Sequence, residues 1–254
     1  QAEGYVEEAI AYNRQVRGSL SYRLGVAKQQ LGLTDAAFVD FQSALDSNAL
    51  PDSLMGDLLF RLGLRTMEAG EERTAAEYFQ RVLAMDSGQL PVETVAHANV
   101  YLGLILGRES GDLLLERQYL ERALELLLDP LTMDRYLGLI AQMLDHGGEE
   151  HLQQALEMAI FATAKQPSST WTALLRCNVH AARAELEEAA TWCQRSLALG
   201  PQNPHARVAM GNVYTRQELW QEALAEYEMA ATLDPTNDWY HTLAENAQAR
   251  VADE

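Results

Sequence analysis

The chain has 254 residues and a formal net charge of −18 at pH 7, with 19 acidic and 11 basic residues over 1–128 and 18 acidic and 8 basic residues over 129–254. Neither half offers the basic surface that phosphate groups require, which excludes nucleic acid and an anionic membrane surface as expected partners. Apolar residues make up 48% of the sequence, and Ala, Leu, Glu, Gln and Arg dominate it, which indicates a folded helical protein.

The native compartment is not fixed by the sequence. No apolar run approaches the roughly 18–20 residues that a membrane-spanning helix needs. The sequence begins at Gln1 without a signal peptide or a starting Met, which indicates a mature form or a fragment. A cytoplasmic location is slightly favoured, and a periplasmic or membrane-tethered one is open if the chain is part of a longer protein.

Two residue types recur at one fixed interval. Prolines are equally spaced at Pro167, Pro201 and Pro235. Alanines keep the same interval at Ala155, Ala189 and Ala223, each at the same distance ahead of one of these prolines. A helical unit with one small contact residue and one terminating proline gives this pattern, so the sequence predicts a repeat protein.

The stretch 209–235, AMGNVYTRQELWQEALAEYEMAATLDP, shows the unit most clearly. Its regularly placed residues are Met210, Gly211, Tyr214, Ala223, Tyr227, Ala230 and Pro235. They resemble the tetratricopeptide repeat, whose pattern is W-x2-L-G-x2-Y, then A-x3-F, then P. Arg207 stands where that pattern has its leading Trp.

The resemblance implies that each unit is a pair of antiparallel helices. Gly211 on the first helix would let Ala223 on the second come close, and Tyr214 and Tyr227 would fill the remaining space. Pro235 lacks an N–H group and would end the second helix.

Six repeats follow from this register in chain order: 18–51, 56–89, 96–130, 136–169, 170–203 and 204–237. In repeats 1 and 2 the glycine place holds Gly25 and Gly63, and the aromatic place holds Phe41 and Phe79. Repeat 3 is the loosest, because its turn GRESGDL is one residue longer. In repeats 4 and 5 the glycine place holds Met143 and Cys177.

Segments outside the repeats are predicted at both ends. Residues 1–17 form either a capping helix or the second helix of a truncated unit, with Gly4 and Ala9 in the expected places, and both interpretations stay open. Residues 238–254 are expected to form a capping helix with a polar outer face, as solenoids need. The predicted fold is therefore all-α, a right-handed α-solenoid of about six antiparallel helix pairs with terminal capping helices.

Signatures of catalysis do not occur. The sequence has no HExxH, GxSxG, CxxC or phosphate-binding glycine loop, so we expect no enzymatic activity, no metal and no cofactor. His146 and His151 in HGGEEH fall on different helix faces, and the double glycine favours a turn. Cys177 and Cys193 occupy facing small-residue places in repeat 5. A disulfide is conceivable there, but packing of free thiols is the favoured interpretation.

The resemblance also implies where a partner would bind. Proteins of this family have a concave groove, lined mainly by first helices, that holds an extended peptide or a helix. The predicted partner-binding residues are Tyr22, Arg23, Arg61, His97, Arg108, Trp171, Asn178, His205, Asn212 and Arg216. Other side chains expected on this surface are Gln29, Asp57, Glu68, Tyr101 and Trp239.

Two features single out this set. Asn178 and Asn212 are separated by the interval of the prolines, at a place where an Asn in the family commonly hydrogen-bonds a peptide backbone, because a carboxamide both donates and accepts. The alternative is two solvated asparagines. Leu174 and Val208 stand where a clamp for a C-terminal carboxylate would have basic residues, so binding of a chaperone tail is not expected.

Charge leaves an acidic ligand open. Among the groove positions, the basic residues are Arg23, Arg61, Arg108 and Arg216, and the acidic ones are Asp57 and Glu68. This balance of +2 contrasts with the −18 of the whole chain, and arginine binds carboxylates in bidentate fashion. The predicted function is a protein-interaction scaffold. The alternatives are a self-assembling structural scaffold that forms homo-oligomers, and an accessory binding region of a larger enzyme or envelope-assembly protein.

Overall fold

The computed structural model describes residues 2–252, and these form thirteen α-helices, one short 3-10 helix and no strand. The all-α prediction is confirmed over this range. The predicted end segments 1–17 and 238–254 extend past it, because residues 1, 253 and 254 lie outside the described part. The expected place of Gly4 also lies outside the described surroundings, which begin at Tyr5. The chain divides into two compact units, residues 1–132 and 133–254.

Unit 1 contains six helices and the 3-10 helix Ser87–Gln89. The helices are α1 (Ala2–Gln30), α2 (Thr34–Asp46), α3 (Asp52–Glu68), α4 (Glu72–Leu83), α5 (Val92–Ser110) and α6 (Leu113–Leu126). Consecutive helices pack as the pairs α1 with α2, α3 with α4, and α5 with α6. Gly103 approaches Tyr119 while Gly107 approaches Glu116. The contacts therefore run in opposite directions along α5 and α6, as in an antiparallel pair.

Unit 2 contains the remaining helices, although the first three residues of α7 belong to unit 1. They are α7 (Pro130–His146), α8 (Glu149–Lys165), α9 (Thr170–Ala182), α10 (Leu186–Leu199), α11 (Pro204–Arg216), α12 (Trp220–Leu233) and α13 (Asp238–Ala252). Helix α9 packs on α10, α11 on α12, and α12 on α13. The second helices α8, α10 and α12 each end two residues before one of the periodic prolines.

Close approach of paired helices explains the small residues. A β-carbon on Gly63 would lie 2.7 Å from the ring of Phe79, and one on Gly211 would lie 2.5 Å from the ring of Tyr227. Ala75 and Ala223, on the partner helices, are fully buried. Because interiors are packed without spare volume, these places cannot hold larger side chains at this helix separation.

Repeat 5 solves the same packing problem with a covalent bond. We expected Cys177 and Cys193 to pack as free thiols, but the structure joins them in a disulfide with Cα atoms 5.1 Å apart. They occupy the places that Gly211 and Tyr227 hold in repeat 6. Two medium-sized side chains facing each other across closely spaced helices have the separation that a disulfide requires.

Repeats 3 and 4 depart from the pattern in other ways. In repeat 4 the large residue is on the first helix and the small one on the second, since Met143 and Ala159 are both fully buried. In repeat 3 Glu116 is buried, and a β-carbon on Gly107 would lie 2.8 Å from the Glu116 β-carbon. Gly107 therefore provides the room that a buried glutamate needs.

Helix α1 runs through a predicted boundary. A separate helix was expected over 1–17, but α1 is continuous over Ala2–Gln30. Gly18 is the only helix-weakening residue near the boundary, and a single glycine costs a helix only about 1 kcal/mol. It lies close to Ser47 at the end of α2, where a β-carbon would clash. Gly18 is thus a packing residue within α1.

Turns inside the helix pairs use a left-handed residue. This residue is Gly32 in repeat 1 and Gly70 in repeat 2. In repeat 5 it is Ala184 and in repeat 6 it is Glu218, with φ of 61° and 62°. Side chains with a β-carbon are strained in this conformation.

No helix within 2–252 combines the length and apolar character that crossing a bilayer would require.

Candidate functional site

Three aromatic side chains form a column along the first helices of unit 2. Trp171, His205 and Trp239 are each the second residue of a helix, in α9, α11 and α13, and they are equally spaced in the sequence. The rings of Trp171 and His205 are 5.6 Å apart, and Tyr240 links His205 to Trp239 at 6.3 and 5.5 Å. Trp171 and Trp239 are 51% and 52% exposed. About half of each tryptophan in this aromatic column is therefore accessible to a ligand.

Three asparagines form a second column seven residues further along the same helices. They are Asn178, Asn212 and Asn246, and seven residues are about two helical turns, which places them on the same face as the aromatic column. Asn246 was missed by the sequence analysis, which treated its helix as a cap. The signal was available, because the spacing between Asn178 and Asn212 continues into α13.

A groove of about 270 Å³ lies between these columns. Its lining residues are Trp171, Leu174, Leu175, Asn178, His205, Val208, Ala209, Asn212 and Trp239. Four of the predicted partner-binding residues are thus brought together in unit 2. None of the lining residues is Asp, Glu, Lys or Arg, so the groove offers aromatic faces, aliphatic surface and carboxamides but no formal charge.

The two lining asparagines differ in their hydrogen bonds. Tyr227 Oη donates to Asn212 Oδ1 at 2.8 Å. This hydrogen bond fixes the orientation of the carboxamide, and the NH₂ group of Asn212 can still donate to a ligand. In repeat 5 the place of Tyr227 is taken by Cys193, which has no hydroxyl. Asn178 makes no side-chain hydrogen bond within the described residues, so its carboxamide can both donate to and accept from a ligand.

Arg216 lies outside the groove lining. Its guanidinium donates to the backbone carbonyl oxygen of Ala181, near the end of α9. The contact ties α11 to α9, so this arginine has a structural partner.

In unit 1, Tyr22 and Arg61 belong to one polar network. The Tyr22 hydroxyl donates to Asp57 at 2.6 Å, Arg61 Nε donates to the same carboxylate at 2.5 Å, and Arg61 also donates to Gln29 at 2.6 Å. Burial, followed by the hydrogen bond to Asp57, raises the pKa of Tyr22 to about 12. These side chains join α1 to α3 and satisfy one another.

The other predicted residues of unit 1 are separate from that network. His97 stacks on Phe60 with ring centres 6.4 Å apart. Arg108 pairs with Glu72 at 2.5 Å. Arg23 is exposed on α1 and makes no ion pair with a described residue. Of the four arginines that suggested an acidic ligand, two therefore have carboxylate partners and a third bonds a carbonyl.

Comparison with solved structures identifies the architecture. Part of a TPR repeat-containing protein from Cytophaga hutchinsonii matches with a TM-score of 0.66 and 16% identity, covering 89% of this chain and 87% of its own. YrrB, described as a TPR protein with an unusual peptide-binding site, matches with a TM-score of 0.56 and 18% identity, covering 82% and 97%. This chain has the tetratricopeptide-repeat fold. The resemblance drawn from the sequence is confirmed at the level of the fold.

A third solved structure, MamA from residue 41 to its end from Desulfovibrio magneticus RS-1, matches with a TM-score of 0.52 and 14% identity, covering 72% of this chain and 97% of its own. No protein-family model and no curated protein matches the sequence. The helix pairs of this chain are thus similar in fold to those of known tetratricopeptide-repeat structures, at identities too low to transfer a ligand.

Proposed function

We propose that the groove of unit 2 binds an extended peptide segment of a partner protein. The asparagine column is the observation that carries the proposal. Three carboxamides at one place on three successive first helices form a row of donors and acceptors. Such a row suits a peptide backbone, whose N–H and C=O groups repeat along an extended chain.

The chemistry of the groove favours binding without catalysis. Covalent catalysis combines a nucleophile with an adjacent base, and the lining residues include one candidate base, His205, but no Ser, Thr, Cys, Lys, Asp or Glu beside it. YrrB, with its peptide-binding site, gives a precedent for peptide recognition on this fold. The role proposed here is a protein-interaction scaffold.

The two lining asparagines would have different tasks. Asn212 is held by Tyr227 through its oxygen, so its NH₂ group would donate to a peptide carbonyl. Asn178 has both ends of its carboxamide available, so it would contact an N–H and a C=O group of the same segment. A ligand would therefore be fixed most firmly over repeat 5.

A library of random peptides displayed on phage tests the proposal. Peptides selected on the wild-type protein are measured against the double variant Asn178→Ala, Asn212→Ala. Each lost hydrogen bond is worth about 0.5–1.5 kcal/mol, so we expect the affinity to fall about tenfold or more.

The matched control is Gln194→Ala with Gln221→Ala, which removes two exposed carboxamides from the second helices α10 and α12. This control should bind like the wild type. Equal affinity of the asparagine variant and the wild type, or a failure to enrich any peptide, would contradict the proposal.

Self-association is a second candidate, favoured by the surface of α1. Its N-terminal half exposes a series of apolar side chains: Tyr5, Val6, Ile10, Tyr12, Val16 and Leu20. Exposed apolar patches of this kind mark interaction surfaces. If two copies of the chain met through this surface of α1, each copy would cover the patch of the other. Sedimentation at increasing protein concentration, with Ile10→Glu and Val16→Glu as the paired variant, would show a wild-type dimer that the variant loses. A concentration-independent monomer would exclude this candidate.

A further inference from the structure

Unit 2 contains four tryptophans, and two of them already carry a cation. The guanidinium carbon of Arg176 lies 3.9 Å from the ring centre of Trp192, and that of Arg250 lies 5.6 Å from Trp220. Trp171 and Trp239, in the aromatic column, have no lysine or arginine of the described chain over their rings. Two half-exposed tryptophan faces are therefore left for a ligand.

The charge around the groove is unfavourable for an acidic ligand. Residues 133–254 contain 8 basic and 17 acidic residues, a net charge of −9. Two of the arginines already have carboxylate partners, since Arg183 pairs with Glu185 at 2.8 Å and Arg207 with Glu226 at 2.9 Å, so neither is free to bind a ligand carboxylate. A negative field repels an approaching carboxylate and attracts a cation.

The groove also lacks a group that would fix a carboxylate. No lining residue is Arg or Lys, and Arg216, which the sequence placed on this surface, donates to the Ala181 carbonyl. Tryptophan faces attract cations because the ring quadrupole is negative above the plane, and tryptophan is the best of the aromatic residues for this. The negative electrostatic field of unit 2 and the aromatic lining of the groove therefore both favour a positively charged ligand.

We propose that the peptide segment recognised by the groove of unit 2 is basic, and that a lysine or arginine side chain of this segment stacks on Trp171 or Trp239. The inference rests on the proposed peptide-binding function and names its ligand class. It reverses the acidic ligand that the arginine count in the sequence left open.

The spacing of the two columns suits a long cationic side chain. About two turns of helix, or roughly 10 Å, separate the asparagine column from the aromatic column along each first helix. A backbone held by Asn178 and Asn212 would need a side chain with a long stem to reach the tryptophan faces. Lysine and arginine have such stems, and their apolar part would cover the aliphatic surface of Leu175.

The test uses the random peptide library on the wild type, with sequencing of the selected pool. We expect enrichment of lysine and arginine over the unselected library. In individual selected peptides, replacing the enriched basic residue by glutamine should weaken binding about threefold to thirtyfold, the range expected for a cation on an aromatic face.

Two double variants separate stacking from general attraction by charge. Trp171→Leu with Trp239→Leu keeps apolar surface but removes the two ring faces, and it should lose the preference for the basic peptide over its glutamine counterpart. Trp192→Leu with Trp220→Leu is the matched control and should keep that preference. Circular dichroism and thermal unfolding establish that both variants are folded.

The outcomes distinguish this inference from the proposed function. Selected peptides that are acidic or neutral, and that still depend on Asn178 and Asn212, would overturn the basic ligand and leave the peptide groove intact. Basic peptides that bind the Trp171→Leu, Trp239→Leu variant with unchanged preference would overturn the stacking. A pool without any enrichment would overturn both.

Discussion

Repeats 5 and 6 have the same length and the same helix arrangement, but they hold their helices together by different means. Repeat 6 packs the ring of Tyr227 against Gly211, whereas repeat 5 bonds Cys177 to Cys193. A glycine with a large ring and two cysteines fill a similar space. The place is therefore constrained in total size and not in residue type, as expected for cores that tolerate volume-conserving exchanges.

The difference extends to the binding surface. In repeat 6 the Tyr227 hydroxyl lies 3.0 Å from Thr215 Oγ1 and donates to Asn212. Repeat 5 has no tyrosine at this place, and Asn178 is left without that contact. The residue that sets the helix separation thus also determines whether the asparagine beside it is held or free.

Removing the ring from repeat 6 should have the largest effect. Tyr227→Ala leaves a cavity at a buried site, and losses of about 3–5 kcal/mol in the free energy of unfolding are typical for large aromatic residues. Tyr227→Phe removes only the hydroxyl and should cost about 1 kcal/mol. Urea denaturation measures both. A loss below about 1 kcal/mol for the alanine variant would mean that the ring does not hold the pair.

Removing the covalent link from repeat 5 should come next. The cysteines are 16 residues apart, and closing a loop of that size stabilises a protein by about 3 kcal/mol in the chain-entropy model. Cys177→Ala with Cys193→Ala should lower the urea midpoint accordingly. A reducing agent should lower the midpoint of the wild type and leave the double variant unaffected. An unchanged wild-type midpoint under reduction would contradict the bond.

Replacing the disulfide of repeat 5 by the glycine–tyrosine pair of repeat 6 tests whether the two places are equivalent. Cys177→Gly with Cys193→Tyr gives repeat 5 the pair found in repeat 6. We expect this variant to be insensitive to reduction and more stable than the double alanine variant, because the ring fills the space that alanine leaves empty. Stability at or below that of the double alanine variant would show that the two places are not equivalent.

A methyl group at the glycine of repeat 6 should have a smaller effect. Gly211→Ala would place a β-carbon 2.5 Å from the Tyr227 ring, and overpacking of this kind costs about 1–3 kcal/mol. Gly138→Ala is the control, because a β-carbon there would meet nothing within 4 Å. In a helix interior that exchange should stabilise by up to about 1 kcal/mol. Equal effects of the two variants on thermal unfolding would argue against the close approach.

In the turns of repeats 5 and 6, introducing a glycine should raise stability. Ala184 and Glu218 have φ of 61° and 62°, and glycine adopts this conformation without steric strain. Ala184→Gly and Glu218→Gly should each raise stability by about 0.5–1 kcal/mol. Gly32→Ala and Gly70→Ala, at the corresponding places of repeats 1 and 2, should lower it. A glycine that destabilises either turn would contradict the left-handed conformation.

Acid should affect repeat 5 through a pair that repeat 6 lacks. His180 Nδ1 lies 2.7 Å from Glu185, and this hydrogen bond, followed by that from Arg183, holds the pKa of Glu185 below its usual 4.5. Because the folded-state pKa is the lower one, this stabilisation is complete above the unfolded-state value and is lost as the pH falls through the folded-state value. Repeat 6 has Tyr214 and Leu219 at these places.

Thermal midpoints between about pH 7 and about pH 3 measure this contribution. Glu185→Gln should be less stable than the wild type at the upper end, and the difference should shrink at the lower end. Glu187→Gln, at an exposed position on α10, is the control and should follow the wild type throughout. A constant difference between Glu185→Gln and the wild type would contradict the shifted pKa.

The sequence predicted the fold because the period alone located the buried contacts. Ala155, Ala189 and Ala223 are all fully buried, as their common spacing implied. The register of the resembled family also placed Trp171, Asn178, His205 and Asn212 on first helices, and these four residues line the groove. Asn246 could have been found by the same reasoning.

Other features depended on distances between helices. The pairing of Arg108 with Glu72 joins different helix pairs, and the bond between Cys177 and Cys193 depends on a backbone separation that the motif does not give. The Arg61–Asp57 pair is an exception, because its spacing of four residues on one helix is a known signature of a surface ion pair.

An isotope-edited NMR titration with one of the library-selected peptides tests most directly whether the peptide binds in the groove of unit 2. The four tryptophans of the chain give four indole signals, of which Trp171 and Trp239 lie in the groove and Trp192 and Trp220 lie on second helices. We predict that the peptide shifts the indole signals of Trp171 and Trp239 and the side-chain amide signals of Asn178 and Asn212, and leaves the other two indoles unchanged. Shifts confined to Trp192 and Trp220 would place the binding surface elsewhere and contradict the assignment of the groove.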